Sequence, residues 1–121
     1  MSKAMGNNMK VIKSDDNILE FDNGLVIEGD GDYDCCAYNF LDFEQLPVGT
    51  KVPTMTALAL SKKIKLKIDG FAIKASDGIP KWVQARSFQN GYYSNRTTIN
   101  LIYKDNKITL GKLAGDIMYK F

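Results

Sequence analysis

The 121-residue chain is 45% hydrophobic and 25% charged with a formal charge of +2, which fits one globular domain and leaves too little chain for two. It contains no histidine, which excludes a Ser-His-Asp triad, a Cys-His dyad and any His-ligated metal within the chain. Its longest apolar stretch, Met55 to Leu60, is interrupted by Thr56 and is too short to cross a bilayer, so no membrane association is expected.

The first eight residues have no apolar signal core. They read as a flexible tail over 1–8 ahead of a single domain over 9–121, in a cytoplasmic protein. Val11 and Ile12 open a strand, Ser14 to Asn17 turns the chain, and Ile18-Leu19-Glu20-Phe21 alternates before Asp22-Asn23-Gly24. Asn-Gly between apolar runs is a strong hairpin signal because both residues tolerate positive φ, so Leu25 to Glu28 completes a three-stranded meander.

After the acidic, glycine-rich Gly29 to Asp34, Asn39 is placed to cap a short helix whose apolar residues are Phe40, Leu41, Phe43 and Leu46, with Pro47 as its stop. Thr54 to Leu60 fits a strand or a helical turn equally. Ile64, Leu66 and Ile68 alternate with lysines, and Asp69-Gly70 turns them into Phe71 to Ala75 as a second hairpin. Lys81 to Phe88, Thr97 to Lys104 and Ile108 to Leu110 read as further strands. The expected fold is α+β: an antiparallel-rich sheet of about six to eight strands with one or two short helices.

Charge is segregated along the chain. Residues 1–60 hold four Lys against ten Asp and Glu, a net of −6, and residues 61–121 hold twelve Lys and Arg against four Asp, a net of +8. The basic half either attracts an anion or meets the acidic half within the fold or across a dimer. Cys35 and Cys36 are adjacent, so a bridge between them would be strained and would close almost no loop. They read as half-buried thiols with no metal site. Asp30, Asp32 and Asp34 alternate like the start of a calcium loop, but Cys35 replaces its glycine and Leu41 its glutamate. No phosphate-binding glycine loop and no nucleophile elbow is present, and no cofactor is implied.

Rings, amides and cations concentrate in the second half. Trp82, Arg86, Asn90, Tyr92, Tyr93 and Arg96 are the candidate ligand-binding residues: aromatic faces stack on bases, guanidiniums pair with phosphates, and amides read base edges. If Val83 and Ala85 face the core, strand alternation puts Trp82 and Arg86 on the open face. Gln89-Asn90-Gly91-Tyr92-Tyr93-Ser94-Asn95-Arg96 has the composition of a binding loop built around a glycine turn.

Two fragments, Asp34-Cys35-Cys36-Ala37-Tyr38 with Asp42-Phe43-Glu44-Gln45-Leu46, and Gln89-Asn90-Gly91-Tyr92-Tyr93-Ser94, resemble a group of small phage and prophage proteins. That group is similar to the first-described Thoeris anti-defence proteins, non-catalytic sponges that hold cyclic ADP-ribose isomers and are also associated with capture of cyclic oligonucleotides. The resemblance implies no enzymatic activity and action in the host cytoplasm, and duplex DNA is not among the expected partners. A ring of this size gains from a site where two surfaces enclose it, so a homo-oligomer with ligand near subunit interfaces is expected. Asn90 lies within the shared stretch; the other five candidates rest on their chemistry. Two rival readings are a protein-binding inhibitor of a host defence factor and a metal-dependent phosphodiesterase using Asp30, Asp32 and Asp34.

Overall fold

A computed structural model describes residues 7–119. β1 (Asn8–Asp15), β2 (Ile18–Phe21) and β3 (Leu25–Gly31) form the expected meander. Its first turn places Asn17 at φ 74 and its second places Gly24 at φ 92, left-handed conformations that asparagine and glycine adopt readily. Asn8, the last residue of the expected tail over 1–8, already pairs with Pro53, and residues 1–6 of that expectation lie outside the described residues.

The segment expected to be a helix from Asn39 is instead β4 (Tyr38–Asp42), paired with β7 (Pro80–Gln89). Asn39, Phe40 and Leu41 are all buried because both faces of this strand are covered. Its apolar residues therefore do not alternate, and their spacing mimics a helix. The helix of the fold is α1 (Ala57–Lys63), in the segment whose periodicity fits either element; Thr56 caps it by accepting from the Ala59 N–H at 3.1 Å. Lys62 and Lys63 lie in its last turn, where cations complement the helix dipole.

The second hairpin does not form as expected. Residues 64–69 are not a strand; β6 (Gly70–Lys74) pairs with β7, and Ile68 is left 82% exposed. β5 (Lys51–Pro53) and β10 (Asp116–Tyr119), neither of them expected from the sequence, add to the sheet edges, the latter parallel to β7.

With β8 (Arg96–Tyr103) and β9 (Asn106–Ala114), the strands form two sheets. One has the order β5-β1-β2-β3-β8-β9; the other runs β10-β7-β4, with β6 also on β7. Phe21, Ile27, Leu41, Phe71, Val83, Ile99, Leu101 and Leu113 meet in one core with α1's Leu60. Among the described residues the fold is mostly antiparallel strand with one short helix, an α+β domain, and no helix there is long and apolar enough to cross a membrane.

At its far end β3 comes unusually close to β4. A Cβ on Gly31 would lie 2.4 Å from the Asn39 carbonyl oxygen, so only glycine lets the two sheets meet here. This contact brings the end of β3, and the Asp32 to Ala37 connection after it, beside the loop leaving β7.

Candidate functional site

Strand parity on β7 sorts the candidates. Val83, Ala85, Ser87 and Gln89 are fully buried, which turns Trp82, Gln84, Arg86 and Phe88 to the other face. Ser87 and Gln89 are polar, and their burial has a purpose. The Gln89 amide donates to Ser87 Oγ at 2.7 Å and to the Ser94 carbonyl at 3.1 Å, while its oxygen accepts from the Tyr93 N–H at 2.8 Å. From β4, the Asn39 amide donates to the Ser94 carbonyl at 3.0 Å and to the Asp32 carbonyl at 2.9 Å. Two buried amides thus hold the 90–95 loop and the Asp32 segment to one another.

Side chains complete the junction. Ser94 Oγ donates to Asp32 Oδ2 at 2.7 Å, and Lys112 on β9 lies 3.4 Å from Asp32 Oδ1. The Ser94 hydrogen bond, with Lys112 and Arg96 nearby, holds the Asp32 carboxyl below the usual carboxylate range. Tyr93 contacts Cys36 through its hydroxyl; that hydrogen bond and the adjacent acidic groups push the phenol above its ordinary range. Gly91 turns the loop at φ 97, with Tyr119 of β10 beside it.

Five of the six tyrosines, Tyr33, Tyr38, Tyr92, Tyr93 and Tyr119, lie on segments that meet at this end. Tyr33 and Tyr92 are the most open, at 93% and 84% exposure. Tyr38 stacks on Phe40 with centroids 4.9 Å apart, and Phe40 on Phe88 at 5.7 Å, making an aromatic row across β4 and β7.

The six candidates from the sequence divide. Asn90, Tyr92, Tyr93 and Arg96 belong to this end. Trp82 does not: eight residues back along β7, at ~3.3 Å per residue, it lies about 26 Å from Asn90. Its ring covers Gly70, and its indole N–H donates to Gln84 Oε1 at 2.7 Å. Arg86 lies between the two, with its Nε–H donating to Asp42 Oδ2 at 2.8 Å and its guanidinium beside the Met118 sulfur. It is held by an acid of its own fold.

Sequence reasoning does not single out Ser87 or Lys112, and it reads Asn39 as a helix cap, Asp32 as part of a metal-like acidic turn and Gln89 as the first residue of the binding loop instead of as the groups that fix this junction. Strand parity from Val83 and Ala85 is the one signal that points at Gln89, since it places that amide inside.

The cysteines depart from expectation, since both are exposed. Asp34 and Ala37 form an isolated bridge, so Cys35 and Cys36 sit at the two central positions of a tight turn, their Sγ atoms 2.9 Å apart. Hydrogen bonding to Cys36 pushes the Cys35 thiol up to about 11. Asp34 brings a carboxylate oxygen within 4.8 Å of both sulfurs, an acidic partner that the reading of plain half-buried thiols leaves out. The carboxylates of Asp30, Asp32 and Asp34 do not form such a group among the described residues.

Two depressions among the described residues lie elsewhere. One depression of about 710 Å³ is lined by Asp15, Asp16, Asp42 and Glu44 and carries the wrong sign for a phosphate. Another, of about 540 Å³, runs between α1 and β6 over Leu60, Ile64 and Ile73. Neither includes a residue of the tyrosine-rich end. Comparison of the chain with protein-family models, curated proteins and solved structures gives no match.

Proposed function

We propose that the chain is a non-catalytic binding protein of the anti-defence type, which holds a cyclic nucleotide signal, a cyclic ADP-ribose isomer or a cyclic oligonucleotide, away from its effector. The observation that carries this reading is the gathering of five tyrosines with Arg96 and Lys112 where the two segments resembling those phage proteins meet. Each base stacked on an exposed ring contributes about 1–3 kcal/mol. Arg96 offers a planar fork for a phosphate. Lys112 is engaged in an exposed pair with Asp32, an interaction worth about 0–1 kcal/mol, so a phosphate competes with it easily.

Sequestration asks for fixed donors and rings, slow release and no activated nucleophile. The amides of Asn39 and Gln89 supply the fixing. Because the rings face outward and the two depressions lie elsewhere, a second copy of the chain supplies the opposite wall, giving a homo-oligomer with ligand between subunits.

The test is retention. Purified protein is mixed with cyclic ADP-ribose isomers, freed of unbound ligand and denatured, and the released small molecules are identified by mass spectrometry. Recovery of intact ligand supports the reading, and its absence from folded, initially unloaded protein rejects it. A second reading, a protein-binding inhibitor, draws on Tyr38 and Phe88, the exposed members of the row that stacks through buried Phe40, since exposed apolar side chains suit protein partners. It predicts a stable protein complex and no retained nucleotide.

A further inference from the structure

The turn from Asp34 to Ala37 borders the proposed capture surface, but its own side chains are given no contact with the captured ligand. Neighbouring side chains on an extended strand point to opposite faces, so adjacent cysteines on a strand do not converge on one ligand. Here the turn removes that restriction. The Asp34–Ala37 bridge closes it, and Asp34 Oδ1 accepts the Cys36 N–H at 3.2 Å, fixing the carboxylate against the turn. Asn39 and Arg96 hold the preceding Asp32 through its carbonyl and N–H. The result is two sulfurs 2.9 Å apart and a carboxylate oxygen within 4.8 Å of each, on an exposed turn with a braced base.

We propose that Asp34, Cys35 and Cys36 form a chelate for a thiolate-binding, closed-shell divalent cation such as zinc. Thiolates are its preferred ligands, and a carboxylate oxygen completes a mixed set. Tetrahedral ligation with metal–sulfur bonds of ~2.3 Å separates two sulfurs by about 3.8 Å. The present 2.9 Å contact therefore opens by about 0.9 Å, a change that small side-chain rotations provide. The two thiol protons pass to solvent, and no electron is transferred.

Three protein ligands leave the fourth position to water, which makes this an open, exchangeable site and not a closed structural one. Tyr93 touches Cys36 through its hydroxyl and provides the outer contact that orients a ligating sulfur. The site shares that tyrosine with the capture surface but does not depend on nucleotide binding.

The experiment is a cadmium titration of the full chain, reduced with a phosphine and kept free of competing thiols, followed by the ultraviolet sulfur-to-cadmium charge-transfer band. Expected are saturation at one cadmium per chain, loss of the band in both Cys35→Ser and Cys36→Ser, and affinity weakened at least about tenfold in Asp34→Asn, in line with losses typical at metal sites. Circular dichroism confirms that each variant keeps its fold, which the exposure of the turn favours. A band that never saturates, that persists in either serine variant, or that saturates at half an equivalent through ligands from two chains would overturn the proposal.

Discussion

Asn39 on β4 and Ser94 in the loop after β7 are 55 residues apart in sequence, yet the Asn39 amide donates to the Ser94 carbonyl at 3.0 Å. The same amide also takes the Asp32 carbonyl. A side chain only 5% exposed therefore fastens together the segments that carry the cysteine pair and the tyrosine loop. Binding surfaces made of loops need such fixing, because every loop ordered on capture subtracts from affinity.

Asn39→Ala takes the side-chain donor from the Asp32 carbonyl and one of two donors from the Ser94 carbonyl, which keeps its hydrogen bond from Gln89. The expected loss is about 1–3 kcal/mol of stability for the one group left unsatisfied, with faster hydrogen exchange at residues 90–95. Urea denaturation and exchange mass spectrometry measure the two effects. Stability falling with no change in exchange in that loop would contradict the fastening role.

Much of the fold is legible where alternation is one-sided. β1 to β3 and the central parts of β7 and β8 carry apolar residues on one face and polar residues on the other, and the turns at Asn17 and Gly24 carry their own chemistry. β4 reads as a helix because Phe40 and Leu41 are buried on opposite faces, one in the aromatic row and one in the core. The lysine-alternating run at 64–68 follows α1 without pairing as a strand, since β6 finds its partner in β7. Of the candidate site, the 89–96 loop is readable locally. Its scaffold is not, because Asn39, Asp32 and Lys112 reach it only through long-range pairing.

Gly31→Val places a branched side chain where the Asn39 backbone already stands. Overpacking of this kind costs about 1–3 kcal/mol, and more where backbone must move. The expected result is a lower urea midpoint together with altered near-ultraviolet circular dichroism from the displaced tyrosines. An unchanged midpoint would mean that β3 and β4 tolerate separation.

Asp32 sets an acid-side dependence. Its folded-state pKa lies below the ordinary 3.8, so its contribution is fully present above that value and is lost as pH falls through the lower folded-state value. Asp32→Asn should accordingly lower stability at neutral pH, and the difference from wild type should shrink below pH 3.8. Urea midpoints across pH test the sign. A difference that widens on acidification would contradict it.

Trp82 is the only tryptophan and lies about 26 Å along β7 from Asn90, so it reports on the fold from outside the tyrosine-rich end. Trp82→Phe removes the hydrogen bond to Gln84, at a cost of about 1 kcal/mol, and leaves ligand retention unchanged. Wild-type tryptophan emission should likewise stay constant on capture. Loss of retention in this variant at full folding would move the site toward the middle of the sheet.

The central claim is that the tyrosine-rich end, with Arg96, holds a phosphorylated ring. The most direct measurement is the dissociation constant of a cyclic ADP-ribose isomer for wild type and for Arg96→Ala, by calorimetry on protein of verified oligomeric state. Expected are saturable binding by wild type and weakening of about tenfold or more in Arg96→Ala at unchanged melting temperature, as loss of a charge-assisted contact worth about 1.5–3 kcal/mol implies. Equal affinities in the two proteins, or no binding by folded wild type, would contradict it.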